Sequence, residues 1–533
     1  MVIMANDVLN TLLREYEQKK VNAELDLERR KELIYKLIPR LLEIDDELNS
    51  LGIQSAKSIL ISPEKRDFYV DELNKKKIDK IDWGLLIVFH VFVFMTMFYG
   101  DLKIIYHHSL TFLDTIFNLD MPNFYANTLA NPCFGFGAVY YWMVYAVIAV
   151  WNLPVWILTR FFHVGEYAVP CLLWSKLQMV FFLLLTLWML EKILKDFGFG
   201  KEKYRFAQFM FASSLFVVLP TVAIAQIDMI TVFLMLWGIR EYLNSDQITW
   251  KFLLIFSFAA AMKIFALFVF IPLVLLKEKR ILYVIVDMIA GVICIALCLL
   301  PYAGREDYVQ STSILNDVMV SRMFSTAFVG GNTEIPAFLA ILVTLSIYAY
   351  AAKVETKDEY FYHTIWVTLA VFAAFFIFVY AHPYWIVLLA PYIAIFLVMR
   401  SDKMKLNMIL EFFISSCASV YYCISFQVYM TRETFADLIL KKLPMKSGEG
   451  CANLGEFIAK HHLEQYVSSL FMIFAVCLIA FLVINRPQKG KESLKWRETV
   501  DGALHFDHGM IYLRLFGIVM FIAGCIYLAY FSK

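Results

Sequence analysis

Beyond residue 82, apolar runs long enough to cross about 30 Å of hydrocarbon recur, separated by short polar breaks. They cover about 83–99, 136–159, 171–190, 206–225, 229–243, 252–262 with 264–276, 281–300, 335–352, 363–381, 384–399, 407–428, 464–484 and 510–530. Read as helices, they predict an all-α polytopic membrane protein, a bundle of about thirteen transmembrane helices. Residues 6–50 follow another pattern. Leu9, Leu12, Leu13, Tyr16, Leu25, Leu27, Ile34 and Ile38 repeat at roughly helical spacing among dense charges, and Pro39 divides or kinks the pattern. Three parts follow: a charged helical region over 1–80, hairpin or coiled-coil-like, a main transmembrane module over 81–400, and C-terminal transmembrane helices over 401–533.

Composition sharpens this reading. Hydrophobic residues make up 60% of the 533 positions and charged residues only 18%, against ~25% charged in soluble domains. The charges are also uneven, with 31 of 95 in residues 1–80. A soluble enzyme, a disordered chain and a secreted disulfide scaffold are excluded. Net charge of +1 gives no reason to expect nucleic acid as a partner. The nine cysteines lie mostly inside apolar runs without paired metal-ligand spacing, so they read as buried small hydrophobes. The first ~25 residues are polar and charged, which predicts no cleavable signal peptide.

Lysine and arginine placement sets the expected orientation. Lys75, Lys76, Lys77 and Lys80 hold the N-terminus in the cytoplasm. The clusters around Lys192–Arg205, Lys277–Arg280, Arg400–Lys405 and Arg486–Arg497 share that side only if one apolar run does not cross. The expected exception is 136–159, approached by Gly135 and Gly137 and interrupted by Asn152-Leu153-Pro154. It reads as a juxtamembrane or re-entrant helix of the first external loop. External segments are then 100–170, 226–228, the neighbourhood of Lys263, 301–334, 382–383 and 429–463, the last an imperfect fit because it carries five basic residues.

Ionisable groups at membrane edges are costly, so each asks for an explanation. Asp101, Gln226, Asp228, Lys263, Arg305, Arg322 and His382 all fall on the side read as external. Taken singly, each has a bland reading as cap, packing glue, snorkelling cation or solvated loop residue. Convergence on one face favours a shared task. A carboxylate can take a proton from an attacking hydroxyl, while cations hold a phosphate and absorb its growing charge as it leaves. Asp101 suits the base; Lys263, His382, Arg305 and Arg322 suit the phosphate.

Asp101 after the first span, Pro220 to Asp228 with Gln226-Ile227-Asp228, Lys263 with Pro272 downstream, and His382-Pro383-Tyr384 resemble the GT-C class of integral-membrane glycosyltransferases over about residues 83–400. The resemblance implies a GT-C-like bundle and a polyprenyl-phosphate sugar donor. It also implies an inverting transfer of a hexose, mannosyltransferase-like, to an extracytoplasmic cell-surface polysaccharide or lipid-linked acceptor, at the plasma membrane. Carried across, Asp101 is the base, Lys263 and His382 contact the donor phosphate, and Gln226 and Asp228 shape the site. Two positions depart from that pattern: Ala225 stands where the class has Gly, and Tyr384 or Trp385 where many members have Arg. Arg305 or Arg322 is then the expected substitute. A second first-loop carboxylate would be Asp114 or Asp120, neither with an evident partner, so the residues give no support for a metal cofactor. Pro301 to Glu334 reads as a mobile loop closing over the substrates, hinged at Gly304, Gly330 and Gly331. A protein partner is open for 1–80. The competing reading is a transporter or flippase, which predicts polar groups spread through mid-membrane and broken helices.

Overall fold

The computed structural model describes residues 78–425, 454–487, 504, 506 and 508–530. The expected amphipathic helices of 6–50 and most of 429–463 lie outside the described residues. The chain divides into the units Met1–Lys75 and Lys76–Lys533. No division falls near 400, because Met404–Ser425 packs against both Ala390–Met399 and Val467–Ile484.

Among the described residues of the second unit most are helical. Among the described residues, five helices are long and apolar enough to cross a membrane: Trp142–Phe161, Val169–Asp196, Lys357–Phe378, Ser401–Ser425 and Glu464–Ile484. The number reaches eight if three bent pairs each count as one span. These pairs bend by 71° between Lys80–Thr96 and Asp101–Phe117, by 59° between Lys201–Ala212 and Leu215–Ala223, and by 41° between Ile281–Gly291 and Ile293–Tyr302. Five other apolar helices have 10–17 residues. At 1.5 Å per residue they fall short of a full crossing. Pro383–Met399 is short, with every side chain from Pro383 to Met399 buried against neighbouring helices such as Lys201–Ala212, Lys357–Phe378 and Met404–Ser425.

Local sequence explains the first span. Asp79 accepts from the Ile81 and Asp82 amides at 2.8 Å each, and Asp82 returns a bond to the Asp79 amide at 3.0 Å. This reciprocal cap satisfies the helix's open donors. At the other end, the fully buried Lys176 ammonium donates to the Phe94 and Met97 carbonyls at 2.8 and 2.5 Å. The bend leaves those C-terminal carbonyls without helical partners, and a cation is the natural group to meet them.

Two expectations are corrected. The run 136–159 is not broken at Pro154, because Trp142–Phe161 is one continuous helix of 20 residues with Pro154 inside it. By length and composition it is one of the five able to cross. The segment 301–334 is structured, with helix Glu306–Phe324 followed by a hairpin of β1 (Ala327–Gly330) and β2 (Thr333–Pro336). That two-stranded hairpin sits in an otherwise helical structure, consistent with the expected all-α class.

The last helix, His508–Tyr530, is held by a buried network. Arg514 donates to Ser213 Oγ and the Met210 carbonyl, both at 2.7 Å, and pairs with Glu411, which also accepts from Ser214 at 2.9 Å. Every charge there has partners, as a buried ion pair requires.

Candidate functional site

Asp101 is the first residue of the Asp101–Phe117 helix, directly after the 71° bend, and is partly exposed. Gln226 Nε2 donates to Asp101 Oδ2 at 3.0 Å, across 125 positions of sequence. The Tyr384 side chain is a further hydrogen-bond partner of Asp101.

Gln226 and Asp228 flank a break in the chain. Pro220 cannot donate to the helical ladder, and Val218–Ala223 widens into a π-helical turn. Ala225 then takes φ +60° before helix Asp228–Leu243 begins. That left-handed conformation costs an L-residue about 1–2 kcal/mol and glycine little. Ala225→Gly is therefore expected to leave the site intact and to raise stability by up to about 1 kcal/mol, read as a higher unfolding temperature in detergent.

Lys263 occupies a second break, in extended backbone between Trp250–Met262 and Phe265–Lys277. Its ammonium donates to Tyr140 Oη at 3.0 Å and lies 3.7 Å from Asp228 Oδ1. It also faces the Tyr140 ring at 4.5 Å and the Tyr384 ring at 5.8 Å. Lys263 is 7% exposed and Asp228 1%, so water does little to weaken their attraction. The His382 ring lies parallel to Tyr384 at 5.2 Å and edge-on to Trp385 at 4.8 Å. Both Lys263 and Arg322 are close enough to act on it by charge. Arg322 itself lies over the Tyr380 ring at 5.3 Å.

Asp101, Gln226, Asp228, Lys263 and His382 thus meet in one place, with Arg322 on the His382 side. Arg305 does not join them. Its guanidinium is held by Asp307 at 3.1 and 3.2 Å and by Asn123 Oδ1 at 3.1 Å, which ties the start of helix Glu306–Phe324 to the first loop. Asp114 and Asp120 are also committed elsewhere. Asp114 pairs with Arg160 and accepts from Trp156, and Asp120 accepts from Asn123 and Asn127. Among the described residues no group of three or more His, Cys, Asp or Glu could hold a metal ion.

Tyr140 is the site residue that sequence reasoning missed. It sits in a run of apolar and aromatic positions, where its hydroxyl gives no signal. The structure delivers it through a close backbone approach. Ser311 Oγ donates to the Ala138 carbonyl at 2.8 Å, and the Ala138 amide donates to Thr128 Oγ1 at 3.1 Å. A Cβ on Gly137 would lie 2.7 Å from Ser311 Oγ and 3.0 Å from Leu129 Cδ2. Gly137→Ala is expected to cost about 1–3 kcal/mol by thermal unfolding, with part recovered when Ser311→Ala removes the hydroxyl.

Chemically, the arrangement offers one accessible carboxylate held by an amide and a phenol. Beside it is a buried lysine balanced by a second carboxylate, with a histidine and an arginine on the far side. Comparison with known proteins adds no name to this geometry: no protein family, curated protein or solved structure matches the chain.

Proposed function

We propose that the chain is an integral-membrane glycosyltransferase of the GT-C type, moving a hexose from a polyprenyl-phosphate donor to an extracytoplasmic glycan or lipid-linked acceptor. The observation that carries the reading is the junction of Asp101–Gln226 with Asp228–Lys263–Tyr140. Asp101 takes the acceptor hydroxyl proton as that oxygen bonds to the anomeric carbon. The sugar–phosphate bond breaks on the opposite face, and Lys263, with Arg322 and His382, receives the departing phosphate. Gln226 and Asp228 position the base and the cation. The test is transfer in proteoliposomes from radiolabelled polyprenyl-phosphate hexoses. Formation of a labelled glycan is the supporting result, and an intact donor under all acceptors would reject the reading.

Orientation has its own test. With the N-terminus in the cytoplasm and 136–159 uncrossed, an impermeant maleimide added outside should modify Glu166→Cys and spare Gly198→Cys. The reverse would show that Trp142–Phe161 crosses.

A second reading, a transporter or flippase, is favoured by the three bent helix pairs. It predicts movement of substrate across the vesicle membrane with no new glycosidic bond.

A further inference from the structure

The bend that places Asp101 competes with a straight helix. In an unbroken helix each carbonyl accepts from the amide four residues on, so the Phe94 carbonyl would meet the Phe98 amide and the Met97 carbonyl the Asp101 amide. Lys176 takes both carbonyls instead, at 2.8 and 2.5 Å, and its ammonium also lies over the Phe94 ring at 5.0 Å. It is fully buried, so water does not compete for these bonds. A lysine inside an apolar helix is costly, and the chemistry at Asp101 and Lys263 does not use this one. Its contacts supply the reason for it. Lys176 occupies the carbonyl that a straightened chain would return to the Asp101 amide.

The residue before it reaches the other limb of the bend. Ser175 Oγ, on the same helix Val169–Asp196, accepts from Asn152 Nδ2 at 3.3 Å. The Asn152 amide also donates to Ser109 Oγ at 2.9 Å, about two turns beyond Asp101 on its own helix. Ser109, Asn152 and Ser175 are all buried. Helix Val169–Asp196 is therefore tied to both sides of the 71° bend, directly through Lys176 and by way of Asn152 through Ser175. The precision matters at the vertex, where Gln226 Nε2 meets Asp101 Oδ2 at 3.0 Å. A shift of about 1 Å would break that bond.

We propose that Lys176 and Asn152 are positioning residues for Asp101: they clamp the bend from its two sides and so hold the carboxylate in register with Gln226. The reaction served rests on the glycosyltransferase reading, whereas the clamp rests on these contacts alone.

The test takes two readouts on the full chain in proteoliposomes. The first follows the bend, with nitroxide labels at Ile87→Cys and Leu119→Cys, exposed positions on one limb and just past the other. Pulsed electron resonance measures their separation, with singly labelled chains as the baseline. Lys176→Met is expected to lengthen it by about 5 Å, which opening the bend allows for limbs rising about 1.5 Å per residue. The second follows transfer from a polyprenyl-phosphate hexose. Lys176→Met should lower kcat about a hundredfold, the effect of a misplacement of about 1 Å, and leave the donor KM within about twofold. In an Asp101→Asn background the same change should lower the residual rate less than about threefold, because a residue acting through Asp101 has little left to lose once the base is gone. Asn152→Ala should follow the same pattern in both readouts with smaller changes, and it carries the test if Lys176→Met does not fold. An unchanged separation, equal losses in the two backgrounds, or a raised KM with kcat intact would overturn the proposal. Failure of the enzymatic reading looks different. The separation would still respond to Lys176→Met, while the parent chain itself would transfer no sugar.

Discussion

Asp101→Asn is expected to lower sugar transfer by about 10²–10⁴-fold, the contribution typical of a general base, while donor binding and unfolding temperature stay near those of the parent chain. The argument is isosteric. Asn keeps one carbonyl oxygen in the place of a carboxylate oxygen, so Gln226 Nε2, at 3.0 Å, retains an acceptor. The amide has no basicity to accept the hydroxyl proton. Steady-state transfer at saturating donor reads the loss, and titration with polyprenyl monophosphate reads the retained binding. Undiminished turnover would remove Asp101 from the role. A loss of binding and stability together would make it a structural cap.

Lys263→Met has two separable consequences. Removing the ammonium leaves Asp228 buried without its countercharge, which costs about 3–5 kcal/mol, a large part of a typical folding free energy. It also removes the cation proposed to hold the donor phosphate. A second change, Asp228→Asn in the same chain, should return most of the lost stability, because replacing both members of a buried pair is often neutral. It should not return affinity for polyprenyl monophosphate. Thermal unfolding and lipid binding on the single and double variants separate the two effects. Recovery of both by the double variant would reduce Lys263 to a structural partner of Asp228.

Much of the architecture was legible because hydrophobic length is local. The meeting of Asp101, Gln226, Asp228, Lys263 and His382 was legible for a different reason: burying charges is costly, so they were expected to gather. What failed depended on information the chain pattern does not hold. Asn152-Leu153-Pro154 looked like a break, yet the Trp142–Phe161 helix continues through it. A proline removes one donor, and the rest of the ladder carries the helix. Arg305 was grouped with the phosphate ligands although its partner Asp307 stands two residues away, a local pair that could have been read directly. Gly330 and Gly331 read as hinges from sequence, followed by Asn332. Between Phe328-Val329 and Glu334-Ile335 the stretch is a hairpin signature, and the structure makes it one. Ala225 shows the reverse case: the sequence marks only that Ala stands where the class has Gly, and the backbone angle reveals why glycine is favoured there.

The most direct test is a density map of the chain with bound polyprenyl monophosphate. The account predicts phosphate density within hydrogen-bond reach of Lys263 Nζ, on the side facing Asp101 and His382. A phosphate bound elsewhere, with Lys263 still closed on Tyr140 and Asp228, would contradict it.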